Sequence, residues 1–149
     1  MLYNMKFCME IVYYYDEYIK TCPVKEYLKQ YLTKEKDSLS LIKRKHKILA
    51  DIDTKINFVK ENEGRPIPPI SKPLHGYSFF EILNSKDSKT VIRILYFRYN
   101  NLIVLLHAFE KPASYNTEKE RKRINKQNKT GEGYLNKFKL NPKSYEKYE

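Results

Sequence analysis

Apolar residues near the start of the chain follow first a strand pattern and then a helical one. The segment MEIVYYY at 9–15 is β-branched and aromatic, which is typical of a β-strand. Apolar positions then recur at helical spacing at Val24, Tyr27, Leu28 and Tyr31. Pro23 precedes them, and proline is tolerated in the first turn of a helix. We therefore expect a strand over 9–15 and a short helix over 23–33.

A longer apolar stripe predicts the main helix of the chain. Its members are Leu41, Ile48, Ile52, Ile56 and Val59. Asp37 or Ser38 can cap the start of this helix, and Gly64 can end it. The opposite face carries a basic run at 43–47, which we interpret as a solvated helix face, with contact to phosphates as the alternative. His46 lies in that run, and we interpret it as a surface histidine.

The middle of the chain has the pattern of an antiparallel sheet. The proline-rich segment 65–73 is expected to be an extended connector. Three apolar runs after it predict strands at 77–84, 90–99 and 102–110. Two polar residues at 100–101 separate the last two runs, which is typical of a tight hairpin. The last run is apolar on both faces, as in a central strand, and His107 in it is expected to alternate in phase with Leu105 and Phe109.

The remainder of the chain is helical in its first part, from Asn116 onwards. Gly131 and Gly133 are expected to interrupt that helix, and 131–149 is expected to be a loose C-terminal extension. The whole chain, 1–149, then forms one domain with helices and an antiparallel sheet segregated along the sequence. The predicted fold class is α+β.

Charge and composition narrow the class of partner. The 149 residues include 29 Lys and Arg against 18 Asp and Glu, which gives a net charge of +11. Such a balance favours an acidic partner, namely nucleic acid, a membrane surface or an acidic protein, and a solvated lysine-rich surface is the alternative. We expect no membrane partner, because no segment approaches the roughly 20 apolar residues of a span. The N-terminus lacks a secretory pattern, so we expect a cytoplasmic protein.

Metal and cofactor motifs are missing from the sequence. Cys8 and Cys22 have no metal-ligand spacing around them and form no disulfide framework. Neither HExxH nor the calcium-loop pattern DxDxDG occurs. We therefore expect no metal and no cofactor.

Two charged residues interrupt apolar strands and call for an explanation. Glu81 follows two phenylalanines, and Arg93 sits between two isoleucines. Buried charges are costly unless they are paired. We expect Glu81 to be a structural residue that pairs with a basic group, for example with Arg93 across the hairpin.

Four short sequence segments occur in the order and with the spacing that is typical of a known protein family. They are PVKEYL, KPLHGYSFFEI, IRILYF and IVLLHAFEK, and the charged helix TEKERKRINK follows them. Over about 10–130 the chain resembles the RelE/ParE superfamily of type II toxins, most closely the HigB-type, phage-derived branch. The resemblance implies a RelE-like fold, with an N-terminal strand and two helices followed by a three-stranded meander and a C-terminal helix.

The resemblance also implies a function. Toxins of this type are endoribonucleases that cut mRNA, mostly on the ribosome, and a cognate antitoxin, commonly a small helix-turn-helix protein, holds them inactive. Metal-free RNA cleavage needs deprotonation of the ribose 2′-OH, stabilisation of the charged phosphorane and protonation of the leaving oxygen. Two alternatives are a RelE-fold nucleic-acid-binding protein that is catalytically weak or inactive, and a ParE-like toxin directed at gyrase.

Site residues follow from the same resemblance. Arg93 occupies the position of an arginine that grips the scissile phosphate. Lys111 corresponds to a phosphate clamp or proton donor, and Tyr115 to a tyrosine that acts as base in some relatives. His107 is a further candidate, although a lone histidine on an apolar strand is more often a core residue.

Two customary cations of the family are absent from this chain. Leu83 and Pro112 stand where the family usually has an arginine and a lysine. Four other residues are candidates for RNA binding in their place, namely Lys72, His75, Lys86 and Arg98. Without such compensation the chain would be a weak or inactive nuclease.

Overall fold

The computed structural model describes residues 8–114 and 116–149 of the chain. Its helices are α1 (Pro23–Leu28), which continues as a 3₁₀ turn (Lys29–Tyr31), α2 (Leu39–Glu61) and α3 (Glu118–Leu140). Its strands are β1 (Glu10–Tyr14), β2 (Ser71–Pro73), β3 (Phe80–Ser85), β4 (Thr90–Tyr99), β5 (Leu102–Pro112) and β6 (Tyr145–Lys147). The predicted α+β class is therefore confirmed.

Within the described residues the strands form one sheet in the order β2-β3-β4-β5-β1-β6. Strands β2, β3, β4 and β5 pair with one another in antiparallel orientation, as the predicted meander requires. Strand β1 returns beside β5 in parallel and pairs with β6 in antiparallel orientation. The predicted order of elements is incomplete, because it lacked β2 and β6.

The two missed strands are both short. β2 lies inside the proline-rich connector and pairs with β3, so that Lys72 faces Glu81. β6 lies in the segment where a loose extension was expected, and it pairs with β1. Tyr148 just beyond it donates a hydrogen bond of 2.5 Å to Asp53 of α2. Neither strand has the alternation of apolar and polar residues that predicts a β-strand, so neither could be predicted from the pattern.

Helices cover both faces of the sheet. α1 and α2 pack on one face, where Ile82, Ile94 and Leu105 belong to the core. α2 is placed by the predicted stripe, of which Ile48, Ile52, Ile56 and Val59 are buried and Leu41 is half-buried. Burial of such side chains contributes roughly 1.5–3 kcal/mol each. The predicted cap is also confirmed, because the Ser38 hydroxyl accepts a hydrogen bond of 3.2 Å from the Leu41 amide.

α3 covers the opposite face and does not break at its glycines. Its buried residues are Ile124, Asn128, Gly131, Leu135 and Phe138. A Cβ on Gly131 would lie 2.5 Å from Leu95 Cδ1, whereas a Cβ on Gly133 would meet nothing within 4 Å. The expected interruption at these glycines is therefore wrong. Of the two glycines, Gly131 is the one at which α3 lies close to the sheet. The helix continues through both.

Among the described residues, none of the helices combines the length and the apolar composition that crossing a bilayer requires.

Candidate functional site

Arg93 is buried beneath α3. It lies in β4 between Leu83 of β3 and Phe109 of β5, and only 5% of its surface is exposed. Its sequence neighbours Ile92 and Ile94 point to the other face, into the core under α1 and α2. The alternation of a β-strand therefore turns Arg93 towards α3.

Three groups surround the Arg93 guanidinium. Its Nε lies 2.5 Å from Glu81 Oε2, and the N–H is not aligned with that oxygen, so the contact is an ion pair without hydrogen-bond geometry. Its other side donates a hydrogen bond of 3.2 Å to Asn128 Oδ1 of α3. The guanidinium carbon lies 5.6 Å from the centroid of the Phe109 ring. Glu81 thus has Arg93 as its basic partner, and α3 separates both from solvent.

Lys111 lies near Arg93 at the end of β5 and is partly buried. It pairs in register with Val91, two residues before Arg93 on β4. Burial lowers the pKa of Lys111, and the positive charge of Arg93 lowers it further, while Glu81 opposes these effects. A lysine with a lowered pKa releases its proton more readily, which suits a proton donor.

An open cleft of about 340 Å³ begins at Lys111. Lys89 of the β3–β4 turn and Arg123 of α3 line it together with Lys111, and we call it the cation cleft. Glu110 also lines the cleft, and it forms an ion pair of 2.5 Å with Lys86. Because Lys86 already neutralises that carboxylate, the cleft favours an anion.

His107 lies beside this cleft but is turned by a β-bulge. The register between β4 and β5 shifts where Leu95 faces His107 and Tyr96 faces Leu105. Leu105 consequently packs under α1 and α2, whereas His107 stacks on Phe109 on the α3 side. The expected phase of His107 with Phe109 holds, and its expected phase with Leu105 is wrong.

The His107 ring is held in one orientation. Its Nε2 lies 2.6 Å from Gln127 Oε1, and burial lowers the pKa of the ring. Among the described residues no partner reaches its buried Nδ1. In the neutral tautomer with hydrogen on Nε2, His107 donates a hydrogen bond to Gln127 Oε1. Its buried Nδ1 then carries a lone pair and no hydrogen that would need an acceptor.

The four residues that were expected to compensate for lost cations do not assemble at one place. Lys72 faces Glu81 and so shares the α3 side with Arg93. His75 is exposed in the turn between β2 and β3. Lys86 lies at the α1 side, 6.0 Å from the Tyr31 ring centroid, and Arg98 packs against Gly64 beyond the end of α2. Tyr115 lies outside the described residues.

Lys89, Gln127 and Asn128 were not predicted as site residues from the sequence. Asn128 carried a signal, because it occupies an apolar position in the stripe that runs from Ile124 to Leu135, and a polar residue there usually has a buried partner. Lys89 and Gln127 carried none, since their role depends on where the turn and α3 lie in space. In the part of the chain that the structure describes, no cluster of His, Cys, Asp or Glu could hold a metal ion.

Comparison with known proteins adds no relative. No protein-family model matches the chain, and neither a curated protein nor a solved structure matches it.

Proposed function

We propose that this protein is the toxin of a type II toxin–antitoxin pair and that it cleaves mRNA on the ribosome, in the cytoplasm, without a metal. Two lines support the proposal. One is the resemblance of four short sequence segments to the HigB-type branch of the RelE/ParE superfamily. The other, which carries the proposal, is the cation cleft, where Lys89 and Arg123 flank a lysine whose pKa is lowered.

Each cation of the cleft takes a role in this chemistry. Lys89 and Arg123 hold the phosphate and stabilise the charge that develops on the phosphorane. Lys111 donates its proton to the leaving 5′-oxygen, and its lowered pKa eases that transfer. The resemblance assigns abstraction of the 2′-OH proton to Tyr115, a short distance along the chain from Lys111.

Arg93 takes a different role from the one that the resemblance implies. Its guanidinium is buried and faces Glu81 and Asn128, so it does not reach a phosphate in the cleft. Its charge nevertheless acts on Lys111, whose pKa it lowers. We therefore assign Arg93 as a positioning residue that tunes Lys111.

A second candidate function is RNA binding without cleavage. The observation that favours it is the same burial of Arg93, because the arginine expected at the phosphate is enclosed by α3. Leu83 and Pro112 also leave two customary cations out of the site. The cation cleft would then hold RNA as a passive phosphate site.

The exposed face of α3 is the surface that we propose for the antitoxin. Lys119, Lys122 and Lys126 are exposed at helical spacing along it. An acidic antitoxin segment would associate faster with such a face because opposite charges steer encounter. Ile124 is not available to that partner, since it is buried against the sheet.

Cleavage can be tested with purified protein, translating ribosomes and a defined mRNA in the presence of EDTA, with primer extension to map new ends. We expect wild type to cut and Lys111→Ala to lose roughly a hundredfold or more of the rate. Lys111→Arg keeps the charge but, because arginine does not release its proton at working pH, it should bind RNA and cut poorly. Lys119→Ala on the exposed face of α3 is the matched control and should cut normally.

The outcomes separate the two candidates. Cuts that disappear with Lys111→Arg while RNA binding persists support the proton-donor role. RNA binding without cuts by wild type would favour the second candidate. Absence of both would overturn the proposal.

A further inference from the structure

A second groove opens beside the cation cleft, at the free edge of β5. α1 contributes Tyr27 and Gln30 to one wall, and α3 contributes Arg123 and Gln127 to the other. The floor is the stretch of β5 at 107–110, and the volume is about 430 Å³. We call it the edge groove.

The edge groove exists because β1 is shorter than β5. Their pairing runs from Glu10 opposite Leu102 to Tyr13 opposite Leu105, and β5 continues to Pro112. Beyond Leu105 the edge of β5 therefore lacks a described neighbouring strand on that side. α1 and α3 pack on the two faces of the sheet there and leave a slot between them.

The polar groups in the slot offer both a donor and an acceptor. Gln30 uses its amide nitrogen to donate a hydrogen bond of 2.9 Å to the Tyr27 carbonyl, which leaves its Oε1 to accept another. Gln127 uses its Oε1 to accept from His107 Nε2, which leaves its amide nitrogen to donate. The tautomer of His107 thus fixes which end of Gln127 is available.

The edge groove and the cation cleft are continuous. Glu110 and Arg123 line both of them. A phosphate in the cation cleft therefore places the adjoining nucleoside at the mouth of the edge groove. Unstacked bases of single-stranded RNA are recognised in proteins by hydrogen bonds to their edges and by stacking on aromatic or guanidinium planes.

We propose that the edge groove binds one nucleobase of single-stranded RNA, next to the phosphate in the cation cleft, and so gives the protein a base preference. This inference rests on the proposed function, because it takes RNA as the ligand of the cleft. In the edge groove the donor is the Gln127 amide nitrogen and the acceptor is Gln30 Oε1, the two kinds of group that a single Gln or Asn offers to adenine. An extended protein segment pairing with β5 is the competing occupant, and the shared cationic wall at Arg123 favours RNA.

The test uses four 2′-O-methyl RNA homo-oligomers, of A, C, G or U, which cannot be cleaved through their 2′-oxygen. Fluorescence anisotropy at low salt measures the affinity of each for the full-length protein. For wild type we expect the best and the worst base to differ by about fivefold or more. Gln127→Ala should reduce that difference to within about twofold while the steepness of the salt dependence stays unchanged. Gln30→Ala should act in the same direction.

Asn136→Ala is the matched control, since Asn136 is exposed on α3 outside the groove. It should keep the wild-type preference, and circular dichroism confirms that each variant is folded. Equal binding of all four oligomers by wild type, or a preference that survives both glutamine changes, would overturn the base site and leave RNA binding standing. If the edge groove instead binds an extended protein segment, changing the two glutamines leaves any base preference unchanged. If none of the oligomers binds at low salt, the proposed function fails together with the inference.

Discussion

Glu81 and Arg93 lie diagonally on neighbouring strands, and their side chains meet inside the protein as an ion pair. α3 covers the pair, and its Asn128 accepts a hydrogen bond from the Arg93 guanidinium. For such pairs the cost of leaving water rivals the attraction gained, so the pair itself adds little stability. Loss of one partner is different, because it leaves a single charge in the interior.

Arg93→Ala should therefore lower the free energy of unfolding by roughly 3–5 kcal/mol, since it leaves Glu81 buried without its partner. Urea denaturation followed by circular dichroism measures this change. The control is the double variant Glu81→Leu with Arg93→Met, which removes both charges. We expect it to regain most of the loss. A double variant as unstable as the single one would contradict the pairing.

Lys111 differs from Arg93, because its buried charge lowers the stability of the fold while it serves the proposed chemistry. Its pKa is lowered in the folded protein, whereas an unfolded lysine has a pKa of about 10.4. Between these two values the unfolded chain binds more protons, so Lys111 makes stability rise with pH in that window. Below the folded-state pKa the full penalty for holding the charge remains.

We expect Lys111→Met to be at least as stable as wild type at pH 7, because the variant carries no penalised charge. Its advantage should shrink as pH rises through the lowered pKa of Lys111 towards about 10.4. The melting temperatures of wild type and Lys111→Met, measured in parallel from pH 7 to about 10.4, test this expectation. A variant that is clearly less stable at pH 7 would show that the burial penalty has been overstated.

At the scale of elements, one glycine of α3 lies in close contact with the sheet. Gly131 is buried against Leu95, which is itself fully buried and has little room to shift. Gly133, two residues further along α3 and therefore on another side of the helix, has open space at its Cβ position. The two glycines thus form a natural pair for separating packing from helix propensity.

Gly131→Ala should destabilise the protein by roughly 1–2 kcal/mol, because crowding against Leu95 outweighs the gain in helix propensity. Gly133→Ala should stabilise it by up to about 1 kcal/mol, since only the propensity changes. Denaturant midpoints of both variants decide the matter. Stabilisation by both would mean that α3 does not press on Leu95.

The sequence predicted those elements whose period alone defines them. α2 follows from its apolar stripe, and β4 begins and ends where its apolar run does. Gly131 was misinterpreted as an interruption, because a glycine that permits close packing and one that ends a helix have the same letter. The phase of His107 was partly wrong because a bulge adds one residue to β5 without any mark in the sequence.

The candidate site was less predictable than the fold for a related reason. Lys111 was found through the resemblance, and the structure places it in a cleft with two further cations. Lys89 and Arg123 approach it from a turn and from α3, which are distant in sequence. Such a meeting depends on tertiary structure, and no local pattern of residues encodes it.

At the scale of the whole molecule, α1 and α2 pack on one face of the sheet and α3 packs on the other. The edge groove lies between α1 and α3, and the cation cleft lies between α3 and the β3–β4 turn. A net charge of +11 attracts polyanions in general and does not choose a site on the surface. We propose that RNA phosphates are bound at the cation cleft and not over the basic surface in general.

The most direct test is the salt dependence of binding to single-stranded RNA, compared for wild type, Lys89→Ala, Arg123→Ala and the surface control Lys119→Ala. Each phosphate contact to a single strand adds about 0.7 to the slope of log affinity against log salt. We predict that both cleft variants lose affinity and about 0.7 of slope each, while Lys119→Ala matches wild type. Equal slopes for all four proteins, or an effect of Lys119→Ala as large as that of the cleft variants, would contradict the account.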